Sequence, residues 1–78
     1  MRKKTKKLVT TFHTTTEALK AEALCIAYHV EGRMIPVPRE ISAGCGLAWM
    51  SPLEKKEDLW ELLKNENIVY EESCEVML

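Results

Sequence analysis

Short apolar runs alternate with amphipathic stretches along this chain, and their spacing predicts six elements. Lys7-Leu8-Val9-Thr10-Thr11-Phe12 is β-branched and partly alternating, which predicts a first strand. Thr14 with Glu17 fits a capping box, in which each side chain satisfies the other's free backbone donor. The helix it opens runs to about Val30, with Leu19, Ala23, Ile26, Ala27 and Val30 as the expected apolar stripe and Gly32 as the stop. Met34 to Ile41 predicts a second strand. Its Pro36 and Pro38 cannot donate ladder hydrogen bonds, so it belongs at a sheet edge. Ser42 to Gly46 reads as a turn and Leu47 to Met50 as a third strand. Ser51 as cap, Pro52 at the first helical position and Glu54 closing the box predict a second helix. Leu59, Trp60, Leu62 and Leu63 form its apolar side, and Asn65 to Asn67 ends it. Ile68-Val69-Tyr70 opens a fourth strand, which Val76-Met77-Leu78 extends or leaves as an apolar tail.

The order β-α-β-β-α-β predicts an α+β ferredoxin-like sandwich: an antiparallel sheet of order 4-1-3-2 with two helices on one face. Strand two is an edge strand in that order, as its prolines independently require. Strands one and two run the same way. The turn after strand two therefore belongs at the end of the sheet where strand one exits and the first helix begins. That places Cys45 near Phe12, His13 and the Thr14–Thr16 segment.

At 78 residues the chain is one domain, read as a basic disordered arm over residues 1–6 and a single domain over 7–78. A domain this small sits near the limit for folding alone, which makes a homodimer a reasonable expectation. Three cysteines without a CxxC pair argue against a disulfide framework or a zinc finger, and no metal site is expected. No apolar run approaches membrane-spanning length, and no apolar core follows the basic start, so the reading is a cytoplasmic protein with reduced thiols. The formal charge is −1, but five of the eleven basic residues lie within positions 1–7. The rest carries six basic against twelve acidic residues, which argues against a nucleic-acid surface on the folded body.

Chemistry concentrates at Cys45. Gly44 and Gly46 flank it and leave its sulfur open to approach. A free thiol has a pKa of about 8.5, which a helix N-terminus or nearby cation lowers. The Thr14 end of the first helix supplies backbone donors and partial positive charge. Arg39 and His13 supply cationic or hydrogen-bonding help, and the amides around Gly44 and Gly46 can form an anion nest. Cys25 reads as a small packing residue within the first helix. Cys74 follows Glu71 and Glu72, whose carboxylates disfavour its thiolate. A fold-back of the tail would make it a resolving thiol. Trp49 and Trp60 read as core or dimer contacts.

The Ala18-Leu19-Lys20-Ala21-Glu22 stretch, the Ile35-Pro36-Val37-Pro38-Arg39-Glu40-Ile41-Ser42 segment and the Cys45-Gly46-Leu47-Ala48 motif resemble the small bacterial selenium/sulfur (Se/S) carrier-like family, from Lys7 to about Tyr70. Gly44 departs from it, since a small polar residue is expected before the cysteine. The resemblance implies that Cys45 holds sulfur or selenium as a persulfide or selenopersulfide. A donor such as a cysteine desulfurase would load it and an acceptor protein would unload it. The covalent chalcogen would be its only cofactor, and the protein a carrier more than a turnover enzyme. The alternatives are a non-catalytic dimerisation or effector-binding module in which Cys45 is incidental, and a redox thiol acting alone or with Cys74.

Overall fold

The computed structural model describes residues 5–38, 41 and 46–77. In chain order the elements are β1 (Lys6–Thr11), α1 (Thr15–Ala27), β2 (Arg33–Pro36), β3 (Leu47–Pro52), a 3-10 turn (Leu53–Lys55), α2 (Lys56–Asn65) and β4 (Glu72–Met77). The strands form one antiparallel sheet in the order β2-β3-β1-β4, which is the expected 4-1-3-2 read from the other edge. Register places Thr10 opposite Trp49 and Ser73, and Met34 opposite Trp49. Leu8, Phe12 and Trp49 share one sheet face and pack with Ala18, Ala21 and Cys25 of α1 and Leu59, Leu62 and Leu63 of α2. Both helices therefore cover the same face.

β2 lies at an edge, as its proline demands, but it ends at Pro36 and not at Ile41. Beyond it the Val37 amide donates to the Gly46 carbonyl (3.1 Å). Pro38 has no N–H with which to continue.

The α1 stripe differs from expectation. Leu19 is 51% exposed and Ile26 66%, while Ala23 and Ala27 also face outward. The helix seats its smallest side chains, Ala18, Ala21 and Cys25, against the sheet. The bulk of Phe12 and Trp49 fills the space between the layers, so larger helix residues would overpack it. Both helices end in Schellman geometry. His29 (φ 59°) and Asn67 (φ 58°) are left-handed, with Val30 donating to Cys25 (2.8 Å) and Ile68 to Leu63 (2.8 Å). The stop for α1 is thus His29. Gly32 (φ +151°) has a different job: a Cβ there would lie 2.4 Å from the Met50 carbonyl oxygen and 2.6 Å from Trp49 Nε1.

Two other boundaries move. Ser51 and Pro52 are not a helix cap; they pair with Leu8 and Lys7 as the end of β3, because β1 offers ladder partners there. The second helix begins at Lys56 after the 3-10 turn. Its buried side is as expected at Leu59, Leu62 and Leu63, and half-buried Trp60 donates from Nε1 to Ser73 Oγ (3.0 Å). Ile68-Val69-Tyr70 is not a strand. Ile68 closes the α2 stop against the core, and β4 starts at Glu72.

Candidate functional site

Chain direction decides which residues can meet. Thr11 pairs with Ala48, and Ala48 with Ile35, so the exit of β1 and the β2–β3 connection lie at one end of the sheet. The chain leaves β1 there through Phe12, His13 and Thr14 into α1. Phe12 is fully buried and anchors this exit, while His13 and Thr14 are exposed. Thr14 caps α1: it has extended backbone, and its Oγ1 accepts from the Glu17 amide at 3.2 Å. The reciprocal bond of a full capping box is not formed. The remaining first-turn amides give this end partial positive character.

Gly46 is the described neighbour of the cysteine in sequence. It is exposed, its φ is +76°, and a Cβ there would meet nothing within 4 Å among the described residues. Backbone conformation requires glycine here, and the position stays open to an approaching molecule. Ile41 donates its amide to the Pro38 carbonyl (3.0 Å). Cys45, Arg39 and Gly44 lie outside the described residues. The structure places His13, Thr14 and Gly46 at one end of the sheet; the expected placement of Cys45 beside Phe12, His13 and the Thr14–Thr16 segment falls outside the described residues.

The surroundings of the other two thiols disfavour the thiolate. Cys25 is fully buried on α1, and burial pushes its pKa up to about 11. Cys74 sits in mid-β4 opposite Val9. Partial burial raises its pKa, and Glu72 raises it further through its charge and a hydrogen bond. Both match the sequence reading of these cysteines. Among the described residues no group of three or more His, Cys, Asp or Glu could hold a metal ion. Nor is any helix among them long and apolar enough to cross a membrane.

The far end of the sheet holds what the sequence reading passed over. Ser51, read as a helix cap, is 1% exposed with an Oγ that has no hydrogen-bond partner, and it borders a cavity with Lys7, Glu31 and Arg33. No local signal announced this, since the burial comes from long-range pairing with Leu8.

A family model described as "Putative Se/S carrier protein-like" matches residues 7–75. No curated protein and no solved structure matches the chain.

Proposed function

The chain belongs to the Se/S carrier-like family, and from that premise we propose that it carries sulfur or selenium on Cys45 between a donor and an acceptor protein. The observation that carries this reading is the convergence of the β2–β3 connection and the α1 N-terminus at one end of the sheet. The strand order and the shared helix face support a ferredoxin-like sandwich as the scaffold.

The step is redox-neutral. The Cys45 thiolate attacks the terminal sulfur of a donor persulfide. A new S–S bond forms, the donor's S–S bond breaks, and the donor cysteine leaves as thiolate. Transfer onward repeats the exchange, with an acceptor thiolate attacking the terminal atom and Cys45 leaving as thiolate. Selenium follows the same balance through a selenopersulfide. Free amides at the start of α1 and the open backbone at Gly46 favour an anionic sulfur, with Arg39 and His13 as its proposed cationic or hydrogen-bonding support. High thiol pKa values at Cys25 and Cys74 reduce competition from the other two sulfurs.

Alkylation rate against pH tests this chemistry on a Cys25→Ala/Cys74→Ala variant that retains Cys45. A midpoint below the ordinary thiol value of about 8.5 is the expected result. A midpoint at or above that value would favour the non-catalytic module.

A further inference from the structure

A groove of about 460 Å³ opens between α2 and the segment that links it to β4, lined by Trp60, Lys64, Ile68, Val69 and Tyr70. Contacts with the sheet set its place. Trp60 reaches Ser73, Ser73 pairs with Thr10, and Glu71 donates its amide to the Thr11 carbonyl at 2.7 Å. The groove therefore stands at the β1-exit end of the sheet, where the β2–β3 connection also lies. From the start of β4 across β1 to the start of β3 is two strand spacings, about 10 Å. A standard protein interface covers about 800 Å² on each side, a disc roughly 16 Å in radius. A partner centred on Gly46 thus covers the groove as well.

The lining suits an apolar side chain. Val69 is 63% exposed beside half-buried Trp60 and Tyr70. The Trp60 ring is held in place: its Nε1 donates to Ser73 Oγ at 3.0 Å, Ser73 Oγ lies 3.2 Å from Thr10 Oγ1, and Lys56 Nζ stands 5.8 Å from the ring centroid. A ring already held loses little freedom on binding, and Trp and Tyr concentrate binding energy at interfaces. A small-molecule site would call for several converging polar groups. Here Lys64 is the one charged group among the described residues of the lining, and it has no ion-pair partner among them. Outside positions 1–7 the chain carries six basic against twelve acidic residues. An acidic partner segment is therefore repelled by most of this surface and received at Lys64.

We propose that this groove docks the protein that loads Cys45. An apolar side chain of the donor seats on Trp60, Val69 and Tyr70, and a neighbouring carboxylate of the donor pairs with Lys64. The proposal rests on the carrier reading of Cys45 and adds the surface by which the donor is recognised. The groove does no chemistry; it holds the donor while sulfur exchange proceeds elsewhere in the same interface.

Initial rates of sulfur uptake test this, read by mass spectrometry at rising concentrations of the full chain with a cysteine desulfurase and cysteine. Val69→Asp sets a negative charge in the apolar floor and should raise the KM for the chain about tenfold, with kcat unchanged. Lys64→Glu, at an exposed position, should raise it comparably, and it carries the test alone where Val69→Asp does not fold. Ile26→Glu is the control: Ile26 is 66% exposed near the far end of α1, and its variant should leave KM unaltered. The alkylation midpoint of Cys45 should be the same in all four proteins. An unchanged KM in either folded groove variant, or an equal rise in Ile26→Glu, overturns the docking proposal and leaves the carrier reading standing. No uptake by the unaltered chain overturns the carrier reading and the docking proposal with it.

Discussion

Replacing Gly32 with alanine probes a close backbone approach between β2 and β3. The added Cβ would stand 2.4 Å from the Met50 carbonyl oxygen, 2.6 Å from Trp49 Nε1 and 2.8 Å from Trp49 Cε2. Trp49 is 2% exposed and belongs to the core, so its ring cannot swing away freely. The Met50 oxygen is backbone in the ladder with Arg33 and yields even less. Overpacking of this kind costs about 1–3 kcal/mol, and a φ of +151° adds about 1–3 kcal/mol for a residue with a side chain. A total near 2–6 kcal/mol compares with a whole stability of about 4–12 kcal/mol for a chain this long. Gly46→Ala is the matched control, because its φ is also positive but its Cβ meets nothing. Urea unfolding of both variants should show Gly32→Ala losing at least ~1 kcal/mol more than Gly46→Ala, the overpacking cost that the control lacks. Equal losses, or a Gly32→Ala loss under ~1 kcal/mol, would refute the packing argument.

Three further outcomes follow from the same geometry. His29→Gly should raise stability by about 0.5–1 kcal/mol in urea unfolding, because His29 holds a left-handed conformation that costs a side chain roughly that much. Thr14→Ala should lower it by about 1 kcal/mol through loss of the bond from the Glu17 amide. The Cys25 thiol keeps its proton in the folded state to about pH 11, while the unfolded chain releases it near pH 9. Its stability contribution is therefore full below pH 9 and falls as pH rises to 11, by up to about 3 kcal/mol. Unfolding curves at pH 8 and pH 10.5 should diverge less in Cys25→Ala than in the unaltered chain; equal divergence would show that Cys25 does not titrate this way.

What the sequence revealed and what it hid divide along a physical line. Pro36 announced an edge strand because a missing N–H is a local property with one topological consequence. The α2 face was legible because Leu59, Leu62 and Leu63 are both large and periodic. The α1 face was not, because its buried positions are Ala18, Ala21 and Cys25, and apolar weight points instead to Leu19 and Ile26. Ser51-Pro52 carries good local capping chemistry, yet Leu8 and Lys7 of β1 draw both residues into the ladder. Likewise the β-branched run at Ile68 looks like a strand but closes a helix. The actual strand reads Glu72-Ser73-Cys74-Glu75, with Ser73 Oγ 3.2 Å from Thr10 Oγ1 and accepting from Trp60. For the site, the strand order legible in the sequence puts the β1 exit and the β2–β3 connection at one end of the sheet, while Cys45 itself lies outside the described residues. The cavity beside Ser51 needed the three-dimensional register.

Mass spectrometry after incubation with a cysteine desulfurase and cysteine tests the carrier claim most directly. The account predicts that the unaltered chain gains the mass of one sulfur on Cys45, that reductant removes it, and that Cys45→Ala gains none. Equal uptake by the two proteins, or uptake by neither, would contradict it.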